Sequence, residues 1–175
     1  MDKLALKNIF TRMVAHRDEQ SPTQTPTVAQ PPKDAAVLIV DDSRTIVRAL
    51  QLILERDGYL TYTAADGVQA IAMTKRQRPD VILMDVVMPN MNGFEATRAL
   101  AHDPETAAIP VIMMSGTEQV SDRVWGLRLG AKGFLAKPIN KEELLGKIGS
   151  VIAVARRTQE RDQIAAVAAS DALPR

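Results

Sequence analysis

Short apolar runs alternate with stretches of helical period along most of the chain. The strand-like runs are Val37–Asp41, Leu60–Ala64, Val81–Asp85, Val111–Ser115 and Gly133–Ala136. Between them, Ser43–Asp57, Asp66–Gln77, Asn92–Ala101 and Gln119–Leu129 have apolar residues at helical spacing. A last helix is predicted from Asn140, with Leu144, Leu145, Ile148, Val151, Ile152 and Ala155 on one stripe. The punctuation agrees. Ser43, Asp66 and Asn92 stand where N-caps belong, Gly58 follows the first helix, and Asn140 with Glu143 makes a capping-box-like pair. The runs at 37–40 and 81–84 are apolar on both faces, as parallel strands covered by helices must be. Five repeats of strand then helix predict a doubly wound α/β domain with a five-stranded parallel sheet, about 120 residues long.

The flanks read differently. In residues 1–20, Leu6, Ile9, Phe10 and Met13 fall at i, i+3, i+4 and i+7, an amphipathic helix that Asp2 would cap. Pro22, Pro26, Pro31 and Pro32, set among Thr and Gln, make residues 21–34 an extended linker. Residues 35–155 form the α/β domain, and 156–175 continue the last helix into a tail.

Composition narrows the function classes. With 22 Lys+Arg against 21 Asp+Glu, the net charge of +1 supplies no global basic field. Arg156, Arg157 and Arg161 are balanced by Glu160 and Asp162 without aromatics, so a nucleic-acid partner is not expected. The absence of cysteine excludes a disulfide framework, a thiolate zinc site and a cysteine nucleophile. The longest apolar runs, such as Ala35–Val40, fall far short of the ~18 residues of a membrane span. Lys3, Lys7, Asn8 and Arg12 break any signal-peptide-like core. A soluble, cytoplasmic protein without stable membrane insertion is the expectation.

In an open α/β sheet, ligands bind beyond the carboxyl ends of the strands. Strand one ends in Asp41-Asp42, strand three in Asp85 and strand four in Ser115, and Lys137 follows strand five. If strands one and three are neighbours, three carboxylates converge, which is unfavourable unless a cation sits among them; hard oxygen ligands suit Mg²⁺. A metal, an ammonium and a hydroxyl around one carboxylate describe a site for phosphoryl transfer onto it. Taken singly, each residue is ordinary: an Asp after a strand is usually a turn former, Ser115-Gly116 a turn and Lys137-Pro138 a loop. Their coincidence at four strand ends is the signal.

The same residues carry a family resemblance. Leu38-Ile39-Val40-Asp41-Asp42-Ser43, Ile82-Leu83-Met84-Asp85-Val86-Val87-Met88-Pro89 with Asn92-Gly93, Ile112-Met113-Met114-Ser115-Gly116 and Leu135-Ala136-Lys137-Pro138 resemble the receiver domain of two-component response regulators. The resemblance covers about Ala35 to Ile152, with the motifs in order. Val124-Trp125-Gly126, Gly130-Ala131 and Phe134-Leu135 more narrowly resemble the single-domain, chemotaxis-like regulators of type IV pilus systems.

The resemblance implies strand order 2-1-3-4-5, the flavodoxin-like arrangement. It implies phosphorylation of Asp85 by a sensor histidine kinase. Asp42 and Asp85 would ligate Mg²⁺ directly, Asp41 through water, and the backbone carbonyl of Val87 would complete the protein ligands. Ser115 would hydrogen-bond the phosphoryl group and Lys137 would pair with it. Lys137–Pro138 would be a cis bond. Phe134 takes the place of the switch aromatic, often Tyr, so any signal through that hydroxyl is lost. Val87 replaces a frequently polar residue, which bears on dephosphorylation. Ser115 and Phe134 would shift together on phosphorylation and reshape the face of helix four, strand five and helix five for a downstream protein target.

Weaker signals remain. The Leu6–Met13 stripe would dock a partner, pair with a second copy or pack on the domain, while a helix of this length is marginal in water by itself. Trp125 serves core packing or partner contact, and His16 and His102 read as solvated surface residues. Two alternatives to a phosphorylated switch stand: a receiver scaffold that is not phosphorylated, and an aspartyl-nucleophile phosphatase. The second lacks the acid/base Asp two residues after Asp85, where Val87 stands. A nucleotide- or flavin-binding domain is disfavoured because neither GxxxxGK[ST] nor GxGxxG occurs.

Overall fold

Apolar residues at successive positions of the strands must bury two faces at once, and the chain does this with helices on both sides of one sheet. The computed structural model describes residues 35–116 and 120–171. Strands β1 (Ala36–Val40), β2 (Leu60–Ala64), β3 (Val81–Asp85), β4 (Val111–Ser115) and β5 (Gly133–Ala136) are all parallel and ordered β2-β1-β3-β4-β5. The helices are α1 (Arg44–Arg56), α2 (Gly67–Gln77), α3 (Gly93–His102), α4 (Val120–Arg128) and α5 (Lys141–Asp171). The strand order implied by the resemblance is the one present. The Leu6–Met13 helix and the Pro-rich linker lie outside the described residues, as does His16.

The two-residue side-chain period of a strand sorts the core into two layers. Val37 and Ile39 of β1, with Val81 and Leu83 of β3, pack with Leu50 and Leu54 of α1 and Leu144, Ile148 and Ile152 of α5. Leu38, Val40, Ile82 and Met84 face the other way, onto Ala70 of α2 and Ala96 and Leu100 of α3. Residues 37–40 and 81–84 are fully buried. Met113 closes that second layer under α4, where a Cβ placed on Gly126 would lie 2.6 Å from its sulfur.

Local signals set the element ends. Ser43, Asp66 and Asn92 cap α1, α2 and α3 through their side chains. The reciprocal capping box forms at Asn92 and Glu95, each side chain accepting from the other's backbone N–H at 3.0 Å. Asn140 instead accepts from the N–H groups of Glu142 and Glu143 at 2.8 and 3.2 Å. Gly58 takes φ +88° after α1, a conformation that disfavours a Cβ, and so lets the chain reverse into β2. α5 does not stop at the domain: it runs to Asp171, with each side chain from Arg156 to Ala168 exposed. At its last packed turn, Arg156 donates to one oxygen of Asp80 at 2.8 Å, whose other oxygen accepts from the N–H of Ala36 at 2.9 Å.

Tyr59 is buried beside this layer, and burial, followed by the charge of Asp57, pushes its phenol up to about 12. A group raised in the folded state loses stability as pH climbs from its unfolded value, here ~10, through its folded one. Stability should therefore fall between about pH 10 and pH 12, and Tyr59→Phe should remove that fall. Urea midpoints across this range would check it; equal slopes for both proteins would sink the assignment.

Candidate functional site

The strand order reverses between β1 and β3, since β1 leads outward to β2 and the chain then returns to the other side. That crevice is where open α/β sheets bind ligands. Asp41 and Asp42 follow β1, and Asp85 ends β3. One carboxylate oxygen from each of the three lies within 4.8 Å of the others, with Asp41 and Asp85 buried and Asp42 exposed. Lys137, just after β5, crosses the top of the sheet to this cluster. Its ammonium sits 2.7 Å from Oδ2 of Asp41 and 2.7 Å from Oδ1 of Asp85. The Lys137–Pro138 peptide is cis.

Each group is held by backbone as well as side chain. The other oxygen of Asp41 accepts from the Ser43 N–H at 2.8 Å, which turns the chain into α1. Asp85 accepts from the N–H of Val87, whose own side chain is exposed. Burial pushes the Asp85 carboxyl above the usual carboxylate range, against the hydrogen bond and charge of Lys137 and with the charge of Asp41. Burial acts to lower the Lys137 ammonium, but the hydrogen bonds it donates to Asp41 and Asp85 leave it raised. Lysine is thus charged, and three carboxylates against one ammonium leave two formal negative charges. That donor set of hard oxygens and that residual charge fit a divalent cation such as Mg²⁺.

The raised carboxyl of Asp85 has a consequence for stability. Ionising it opposes folding, so stability is present below the ordinary carboxylate value and is lost as pH rises through the Asp85 value. In metal-free buffer, Asp85→Asn should melt higher than the parent chain at neutral pH, and the gap should close in acid. A constant gap across pH would contradict this origin.

Three features of the site were not visible in the sequence. Gly93 starts α3 directly beneath Asp85, where a Cβ would stand 2.0 Å from the Asp85 carbonyl oxygen; its N–H donates to Val86 C=O at 3.0 Å. Asn90, at φ +63°, donates to Asp66 at 3.0 Å and ties the loop after β3 to the α2 cap. Ser115, buried at the end of β4, donates to a carboxylate oxygen of Asp122 on α4 at 3.4 Å. Nothing in spacing could pair Asn90 with Asp66 or Ser115 with Asp122.

Phe134 is partly buried against the layer formed by Leu38, Val40 and Met113. Trp125 is 55% exposed, which decides its reading: it is a surface residue, with the Arg128 guanidinium 5.9 Å from its ring centroid. His102 is exposed and contacts the Arg98 carbonyl at 2.8 Å. No helix among the described residues is long and apolar enough to cross a membrane.

Residues 37–149, more than half of the chain, match the family described as the response regulator receiver domain. Protein PilH of Pseudomonas aeruginosa is 47% identical over 119 residues, covering 68% of this chain and 98% of PilH, in line with the narrower resemblance to type IV pilus regulators. Response regulator PleD of Caulobacter vibrioides is 43% identical over 67% of this chain but only 26% of PleD. Among solved structures, the chemotaxis response regulator CheY4 of Vibrio cholerae superposes with a TM-score of 0.64 at 38% identity, covering 67% of this chain and 98% of that one. The receiver domain of a Pseudomonas aeruginosa sensor histidine kinase, with a magnesium ion coordinated in its active site cleft, gives 0.64 at 31% identity over 69% and 98%.

Proposed function

The chain belongs to the response regulator receiver family, and from that premise we propose that it is a phosphorylatable switch whose acceptor is Asp85. The single observation that carries this reading is the approach of the Lys137 ammonium to both Asp41 and Asp85 beside the exposed Asp42. It joins a nucleophile, a fixed positive charge and an acidic cation cradle in one crevice.

In this reading an Asp85 oxygen attacks the phosphorus of a phosphohistidine on a sensor histidine kinase. The phosphorus–nitrogen bond breaks, a phosphorus–oxygen bond forms, and the imidazole leaves. Lys137 and the Ser115 hydroxyl hold the equatorial oxygens of the transferred group, where charge concentrates. Asp42, Asp85 and the Val87 carbonyl would hold Mg²⁺, with Asp41 acting through water; when bound, the cation neutralises charge on the transferred group. The chain's catalysis is confined to its own phosphorylation and dephosphorylation. Phosphorylation replaces a single negative charge with a dianion bearing new acceptors. Ser115 and Phe134 then readjust, and the α4-β5-α5 face changes shape for a cytoplasmic protein target, without nucleic acid. Exposed Val124, Trp125 and Leu127 on α4 supply apolar contact area on that face.

Intact mass after incubation with Mg²⁺ and a small-molecule phosphodonor tests the proposal. The parent chain should gain one phosphoryl group, and Asp85→Asn or a metal-free sample none. A folded parent chain that gains nothing would favour the scaffold reading.

A further inference from the structure

The hydroxyl that should hydrogen-bond the phosphoryl group already has an anionic partner. Ser115 Oγ donates to Oδ2 of Asp122 at 3.4 Å, across the gap from the end of β4 to the first turn of α4. A serine hydroxyl carries one proton, so it cannot donate fully to Asp122 and to a phosphoryl oxygen together. The backbone around it is fixed. Its carbonyl accepts from the Lys137 N–H at 2.8 Å, and the preceding Met114 carbonyl accepts from the Val86 N–H at 2.9 Å. The hydroxyl can therefore change partner by turning about one side-chain bond while β4 stays paired with β3 and β5.

Resting on the phosphoacceptor reading of Asp85, we propose that Asp122 is a positioning residue that holds the Ser115 hydroxyl on α4 in the unphosphorylated protein. A phosphoryl group at Asp85 must take the hydroxyl from Asp122, and α4 loses this tie to the site in the same event. The tie both sets the ease of phosphorylation and transmits it. By linkage, whatever the Ser115–Asp122 bond subtracts from phosphoryl binding, binding subtracts from the hold on α4.

The test uses the full chain with Mg²⁺ and beryllofluoride, a stable phosphoryl mimic, and reads occupancy by fluorine NMR. Trp125, the one tryptophan in the chain and one turn beyond Asp122, reports α4 by fluorescence. Removing one competing hydrogen bond should lower the beryllofluoride midpoint of Asp122→Ala about three- to tenfold. Asp122→Asn, which keeps an acceptor but not the charge, should shift it less. In a Ser115→Ala background the Asp122→Ala effect should vanish, which a through-space charge effect or a loosened helix would not produce. An unchanged midpoint in Asp122→Ala, or an equal shift with and without the Ser115 hydroxyl, would overturn the proposal. A parent chain that never takes up beryllofluoride would instead defeat the Asp85 reading, and this inference with it.

Discussion

Lys137→Met should slow phosphoryl uptake by about two to three orders of magnitude while leaving Mg²⁺ binding intact or tighter. The two effects separate because the ammonium plays opposite parts toward them. Toward the transferred group it is a fixed positive charge, 2.7 Å from the acceptor carboxylate and therefore within reach of any oxygen bonded there. Toward a cation it is a competitor, occupying one oxygen each of Asp41 and Asp85. Methionine keeps most of the stem's volume and removes only the charge and the donors. Time courses of intact mass, beside a Mg²⁺ titration, would measure both. An uptake rate within tenfold of the parent would mean that Lys137 is structural rather than catalytic.

Gly93→Ala should cost about 3 kcal/mol or more of stability, the upper end of what forced overpacking produces. The sign opposes the ordinary expectation. Alanine in the first turn of an exposed helix gains up to about 1 kcal/mol over glycine. Here the added methyl would stand 2.0 Å from the Asp85 carbonyl oxygen and 2.9 Å from its carbonyl carbon, both backbone atoms without rotamers to escape into. Relief requires α3 to lift or the acceptor's own peptide to turn, so the same variant should also phosphorylate poorly. Urea unfolding at unchanged m-value would give the stability term. A neutral or stabilising result would show that the loop from Val86 to Asn92 yields at little cost.

Of the five strands, β1, β3 and β4 were legible because burial on two faces leaves consecutive Val, Ile, Leu and Met, a pattern no surface element tolerates, whereas β2 is partly exposed. Four of the five match the residue limits expected from the sequence, and β1 is displaced by one residue, covering Ala36–Val40. There Asp41 leaves the strand because its side chain turns back onto the Ser43 N–H. Helix starts were legible for the same local reason, since Ser43, Asp66 and Asn92 bond within three residues of themselves. Neighbour relations were not. Periodicity says that a strand is buried and nothing about which strand lies beside it, so the order came from the family resemblance. The pairing of Lys137 with Asp41 spans 96 positions, and that of Asn90 with Asp66 spans 24. Such contacts exist only once the sheet has brought the strand ends together.

The helix that begins beside Lys137 is also a lever. α5 has 31 residues, which at 1.5 Å each is about 46 Å of rod. Its first half is gripped by the sheet through Leu144, Ile148 and Ile152, and past the Arg156–Asp80 clasp its side chains are exposed as far as Ala168. Rotating such a rod by 5° about its first turn would sweep its far end through about 4 Å. A displacement too small to detect beside Lys137 would therefore arrive at Asp171 enlarged to the width of an atom, at the opposite end of the helix.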